Sequence, residues 1–161
     1  MRTKHGTTII ATRGVKEYRA TIPLCVARND VVLEVGCEWG TTTSIIAEHC
    51  NTVLGVDVGE ECIARARQKY PHIRFEVADG FDVRRLLSFG LDFNKIYVDI
   101  SGLSGYASLL DLLSLLEMYT AVFAPQIIVV KSSALKFLAM RCVPWRDGVE
   151  SLDDLLSLKR R

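Results

Sequence analysis

Acids and a lysine recur at the ends of short apolar runs in this sequence, a placement suited to ligand chemistry. Asp57 closes the run that starts at Thr52, Asp79-Gly80 follows Ile73-Arg74-Phe75-Glu76-Val77, Asp99 follows Lys95-Ile96-Tyr97-Val98, and Lys131 closes Ile127-Ile128-Val129-Val130. A carboxylate at such a tip can accept hydrogen bonds from both hydroxyls of a ribose, which is the expectation for Asp57. Its plain alternative is an acid capping the next helix. A lysine beside a buried sheet can have its pKa lowered and activate a hydroxyl, while its plain alternative is a solvated side chain. A glycine turn, Glu34-Val35-Gly36-Cys37-Glu38-Trp39-Gly40-Thr41-Thr42, leaves the first apolar run and enters a stretch of helical period. Glycines are wanted there because the backbone bends sharply and a ligand can approach without a Cβ in its way.

The elements that must position these residues are legible from periodicity. Val31–Val35, Thr52–Val56, Ile73–Val77, Lys95–Val98 and Ile127–Val130 are short and rich in Val and Ile. The first, second and fifth lack polar alternation, as parallel strands covered on both faces do. Helical stretches lie between them, at 42–50, 60–70, 81–89 and 103–123. The last has its polar residues confined to a narrow stripe, so most of its surface is expected to be covered. A helix over 15–27 is expected before the first run, and one near 134–142 after the fifth. A last short helix follows, with Ser151 capping it, Asp154 as capping partner and Leu152, Leu155 and Leu156 as its apolar face. Strands alternating with helices predict an α/β fold: a doubly wound, mostly parallel sheet with helices on both faces. One domain over 1–161 is expected, with an N-terminal extension (1–29), a ligand-binding core (30–135) and short C-terminal helices (136–161).

The glycine turn does not suit a dinucleotide. G-x-G-x-x-G counted from Gly36 demands glycine where Glu38 and Thr41 stand, and Glu38 would repel a pyrophosphate. E-x-G-x-x-x-G, followed by the acid Asp57 and then Asp79, instead resembles the class I S-adenosylmethionine-dependent methyltransferases, over roughly residues 30–135. The resemblance implies a Rossmann-like core and S-adenosylmethionine as cofactor, with S-adenosylhomocysteine as product. It places Glu34 near the methionine end, with Gly36, Cys37 and Gly40 forming the turn around it. Asp57 and the adjacent Val58 would meet the ribose, and Asp79 and Gly80 the adenine; Asp79-Gly80 is also an ordinary turn dipeptide. Asp99 would lie where the methyl acceptor and cofactor meet, either contacting the acceptor or only orienting cofactor and backbone. The family's usual C-terminal antiparallel hairpin is expected to be absent or reduced.

The acceptor is open to RNA, protein or a small molecule. Asp99 and Lys131 match two members of the Lys-Asp-Lys-Glu set of RNA 2′-O-methyltransferases of the FtsJ type, with Lys16 as a third. No glutamate stands at a matching distance, and the glycine turn departs from that family's D-x-G-A-x-P-G form. A non-catalytic binding module with the same fold is the competing class. Trp39 would cover the ligand or pack on a helix.

Composition excludes other classes. The chain has 161 residues, is 49% apolar and 24% charged, and carries a net charge of +1. That is globular composition without the basic footprint of a dedicated nucleic-acid binder. Five dispersed cysteines without a C-x-x-C pair argue against a disulfide framework and for a reducing, cytoplasmic setting. Met1–Lys16 has basic and hydroxyl residues and no acid, so organelle targeting stays open. No run approaches the roughly 18 apolar residues of a membrane helix, and the three histidines show no metal-ligand spacing. The fifth run would leave an open sheet edge. Thr7–Ala11, the final helix or a second subunit would cover it. A homodimer would use that edge or the apolar 103–123 helix.

Overall fold

In the computed structural model residues 6–143, 145, 147, 151, 153 and 154 are described. Six strands form one sheet: β1 (Thr8–Thr12), β2 (Val31–Val35), β3 (Thr52–Asp57), β4 (Arg74–Val77), β5 (Lys95–Val98) and β6 (Ile127–Lys131). Their spatial order is β1-β6-β5-β2-β3-β4, and every pairing is parallel. From β2 the chain winds outward through β3 and β4; it then returns to β5 and winds the other way through β6. The winding therefore reverses between β2 and β5, and a crevice opens there beyond the strands' C-terminal ends.

The edge beside β6 is filled by the chain itself. Thr8 pairs with Ile127 and Thr12 with Lys131 along a continuous parallel register, so the N-terminal segment, read as one of three coverings, is the one in place. Thr7 Oγ1 also donates to the Pro125 carbonyl at 2.8 Å, anchoring the start of β1.

Helices sit on both faces: α1 (Val15–Ala20), α2 (Ile22–Cys25), α3 (Thr41–Ala47), α4 (Glu60–Lys69), α5 (Val83–Leu87), α6 (Leu109–Phe123) and α7 (Ser133–Arg141). The helix expected over 15–27 is two short ones, because Pro23 near the start of α2 supplies no N–H to continue α1. The 103–123 helix begins only at Leu109. Gly102 takes φ +89°, and Ser108 Oγ donates back to the Gly102 carbonyl at 2.5 Å, so the preceding residues form turns. Leu112, Leu115, Leu116 and Tyr119 of α6 bury against one sheet face with Leu33, Val35, Ile96, Val98, Ile128 and Val130. The alternate residues Val32, Tyr97 and Val129 face the other way, onto Tyr18 and Ile22 of α1 and α2 and Ile46 of α3. This period of two gives the inner strands β2, β5 and β6 two buried faces, hence their unbroken apolar runs. Ser151 Oγ accepts from Asp154 N at 3.1 Å and donates to its carboxylate at 2.6 Å, the expected cap. The apolar face assigned to that last helix lies outside the described residues. Among the described residues no helix is long and apolar enough to cross a membrane.

Candidate cofactor and acceptor site

At the crevice a cavity of about 390 Å³ is lined by Gly36, Glu38, Asp57, Val58, Asp79, Gly80, Asp99 and Lys131, with Val35, Cys62, Ala78, Ile100 and Ser101. Parallel strands put all their C-terminal ends on one side, so residues far apart in sequence meet there.

The glycine turn is shaped by close approach. Gly36 has φ +81°, and a Cβ on it would lie 2.1 Å from the Asp99 carbonyl oxygen, so the turn passes directly over the tip of β5. Its amide, and that of Cys37, donate to the Val56 carbonyl at 2.8 and 3.0 Å. Glu38 follows with φ +49°, an uncommon conformation for a residue with a side chain. Its amide donates to Asp57 Oδ2 at 3.0 Å, while Asp57 Oδ1 accepts from Gly59 N at 2.9 Å. Asp57 is thereby held rigidly at the cavity wall, and each oxygen keeps a lone pair for a further donor.

One strand outward, Asp79 Oδ1 accepts from Phe81 N at 2.9 Å. Gly80 leaves no room for a side chain: a Cβ would approach Val35 Cγ1 to 2.6 Å, and the Gly80 carbonyl accepts from the buried Tyr119 hydroxyl at 2.7 Å. At the other end Lys131 Nζ forms an ion pair with Asp99 Oδ1 at 2.5 Å, both side chains partly accessible. Four carboxylates (Glu38, Asp57, Asp79 and Asp99) thus face one cation across the cavity. Such walls favour a ligand with hydroxyl and amino donors and net positive charge, and disfavour a pyrophosphate.

Seven of the residues expected at the site line the cavity: Gly36, Asp57, Val58, Asp79, Gly80, Asp99 and Lys131. Glu34, Cys37 and Gly40 do not. The Glu34 side chain is buried on the α1 and α3 face of the sheet, where its carboxylate accepts from Thr43 Oγ1 at 2.5 Å. Cys37 is buried, and that burial, with Glu34 and Asp57 adding to it, pushes its thiol well above the usual range. Gly40 has φ +75° and faces Phe75, whose ring would be 2.6 Å from a Cβ, so this glycine serves packing. Lys16 is exposed on α1 and is not among the lining residues. Trp39 lies under the Arg65 guanidinium, 5.5 Å from its ring centre. Cys62 was not anticipated, whereas Val35, Glu38, Ala78, Ile100 and Ser101 line the cavity as chain neighbours of the expected residues. Ile100 and Ser101 continue the β5 tip, a signal that position alone could have supplied.

Burial pushes the Glu34 carboxyl up to about 8 from an ordinary 4.5, against the bond from Thr43. A raised folded pKa means that the stability associated with this group is intact below the unfolded pKa and lost as pH rises through the folded one. Wild-type protein is therefore expected to lose stability progressively between about pH 5 and about pH 8, by several kcal/mol, relative to Glu34→Gln. Urea midpoints across that range check it; a pH-independent gap between the two proteins would show that the carboxyl ionises freely.

Residues 32–101 match a family model described as a methyltransferase domain. Trans-aconitate 2-methyltransferase of Delftia acidovorans is 37% identical over 70 residues, covering 42% of this chain and 25% of that protein. The chain thus aligns to about a quarter of the curated relatives' length. Among solved structures, DesVI of Streptomyces venezuelae superposes with a TM-score of 0.56 at 18% identity, over 73% of this chain and 51% of that one. A TehB-like SAM-dependent methyltransferase of Corynebacterium glutamicum superposes with a TM-score of 0.51 at 17% identity, over 89% and 70% of the two chains. At these identities the superpositions establish the fold. Together with the parallel sheet they show a Rossmann-like fold, within which residues 32–101 are similar to a methyltransferase domain.

Proposed function

We propose that this chain binds S-adenosylmethionine in the crevice between β2 and β5 and transfers its methyl group to an acceptor beside Lys131. The observation that carries the reading is the acid-lined cavity, with Asp57, Asp79 and Asp99 at three successive strand tips. Asp57 would hold the ribose hydroxyls, Asp79 and the Gly80 backbone the adenine, and Gly36 and Asp99 the sulfonium end. The cofactor supplies an electrophilic methyl group; the protein's part is to orient the acceptor, exclude water and hold or remove its proton.

Lys131 and Asp99 are the residues for that part. Lys131 is the one cation among the residues lining the cavity, and Asp99 keeps it at the strand tips. A carboxylate acceptor, the class named for the trans-aconitate enzymes, would pair with Lys131 directly. A hydroxyl acceptor, including an RNA 2′-hydroxyl, would need a neutral lysine to take its proton.

Isothermal titration with S-adenosylmethionine, S-adenosylhomocysteine and NAD tests the cofactor. Micromolar binding of the first two and none of NAD is expected. No binding of either sulfur nucleoside would overturn the reading in favour of a non-catalytic module. Acceptors are then screened with labelled methyl donor. On the acceptor found, Lys131→Ala is expected to lower kcat/KM by roughly 100-fold, with the cofactor Kd changed less than about twofold. Full activity in that variant would remove Lys131 from the chemistry.

A further inference from the structure

A second cavity of about 390 Å³ opens at the opposite end of the sheet, beside the N-terminal ends of β3 and β4. Thr52 and Arg74, the first residues of those strands, line it, whereas Asp57 ends β3 at the crevice. At about 3.3 Å per residue, the six residues of β3 hold the two cavities roughly 20 Å apart. Their charge is opposite. Four carboxylates face the crevice, while no acid lines the second cavity, whose wall carries Arg74 and His72.

Arg74 is held in place with its donors to spare. Its Nε donates to Glu76 Oε1 at 3.2 Å, and its guanidinium lies over the Phe89 ring, 5.3 Å from the centre. Glu76 is shared: its other oxygen accepts from Arg67 Nη2 at 3.1 Å, so one carboxylate meets two guanidiniums and a positive charge is left over. Arg85, 4.7 Å from the centre of the same ring, adds a further cation to this flank. The two terminal nitrogens of Arg74 make no hydrogen bond among the described residues. Nor do the His72 imidazole and the Asn51 carboxamide, which stand in the connections leading into β4 and β3. Beside these exposed donors, Ala47, Val53 and Leu91 give the cavity an apolar wall. A fixed guanidinium and two further donors next to apolar surface suit a ligand with an anionic head and an apolar body. A planar carboxylate would be satisfied by the guanidinium fork alone, whereas the third oxygen of a phosphate uses the additional donors.

We propose that this cavity is a binding site for an organic phosphomonoester, its phosphate held by Arg74, His72 and Asn51 and its apolar body against Ala47, Val53 and Leu91. The site is separate from the crevice, and its occupation does not depend on what the crevice binds.

Titration calorimetry with phenyl phosphate, inorganic phosphate and benzoate tests it. Phenyl phosphate is expected to bind with a Kd of roughly 1 mM or tighter. Inorganic phosphate, which lacks the apolar body, and benzoate, which lacks the third oxygen, are each expected to bind about tenfold more weakly. Arg74→Met removes an exposed ion pair of little worth to stability, so Tm is expected to hold while phenyl phosphate weakens about tenfold. Asn51→Asp puts a carboxylate into the acid-free wall with almost no change of shape, and is expected to abolish binding. Saturating S-adenosylhomocysteine is expected to leave the phenyl phosphate affinity unchanged. No binding of phenyl phosphate up to about 10 mM would overturn the proposal. So would equal affinity for inorganic phosphate or benzoate, wild-type affinity in either variant, or competition by S-adenosylhomocysteine.

Discussion

Asp57→Ala is expected to weaken S-adenosylmethionine and S-adenosylhomocysteine binding by about 100-fold. Hydrogen bonds to a charged group contribute roughly 1.5–3 kcal/mol each, and two ribose hydroxyls losing their acceptor, with water as partial replacement, corresponds to about 3 kcal/mol. The same substitution frees the amides of Glu38 and Gly59, so the glycine turn loses its brace where Glu38 adopts φ +49°. Asp57→Asn, which keeps one oxygen acceptor, is expected to lose less, about tenfold. 5′-Methylthioadenosine carries the ribose and is expected to fall in parallel. Titration calorimetry separates these outcomes. Wild-type affinity in Asp57→Ala would reduce Asp57 to a loop brace.

Gly36→Ala is expected to be the most damaging single-methyl change in the site. At φ +81° an L-residue costs roughly 1–2 kcal/mol, and the added Cβ would sit 2.1 Å from the Asp99 oxygen and 2.7 Å from its carbonyl carbon. Both are backbone atoms of a strand tip, so relief requires the turn and β5 to separate, and overpacking of that kind typically costs a further 1–3 kcal/mol. Against a total stability of roughly 5–15 kcal/mol the sum is large. The variant is expected to show a clearly lowered urea midpoint and no measurable cofactor binding. Gly105→Ala, with nothing within 4 Å of its Cβ, is the control expected to behave as wild type. If Gly36→Ala kept both midpoint and affinity, the close approach drawn for the turn would be wrong.

Much of the site was legible because its residues obey one rule. In a parallel sheet every strand points the same way, so an acid or lysine ending an apolar run arrives at one common edge, as Asp57, Asp79, Asp99 and Lys131 do. The rule fails one step earlier in a strand. Glu34 precedes the tip of β2, and strand alternation turns its side chain to the α1 face, behind the cavity rather than into it. Gly40 belongs to the same motif spacing, yet the need it meets is set by Phe75, a residue of β4 that no local pattern connects to it. The false start of α6 has a local cause, since the apolar period was read from Leu103 on through Gly105, while the hydrogen bond from Ser108 to Gly102 belongs to a turn.

By itself the sequence determined the doubly wound sheet, the crevice at which it reverses and the acids at its rim, because these follow from hydrophobic period and strand direction, both local properties. Only the tertiary structure decided that β1 closes the edge of β6, that Lys131 meets Asp99, and that Tyr18 packs edge-to-face on Tyr97. Each of those is a contact between segments more than thirty residues apart in the chain. Its partner is chosen by which surfaces remain to be buried once the core has formed, and that choice has no local signature.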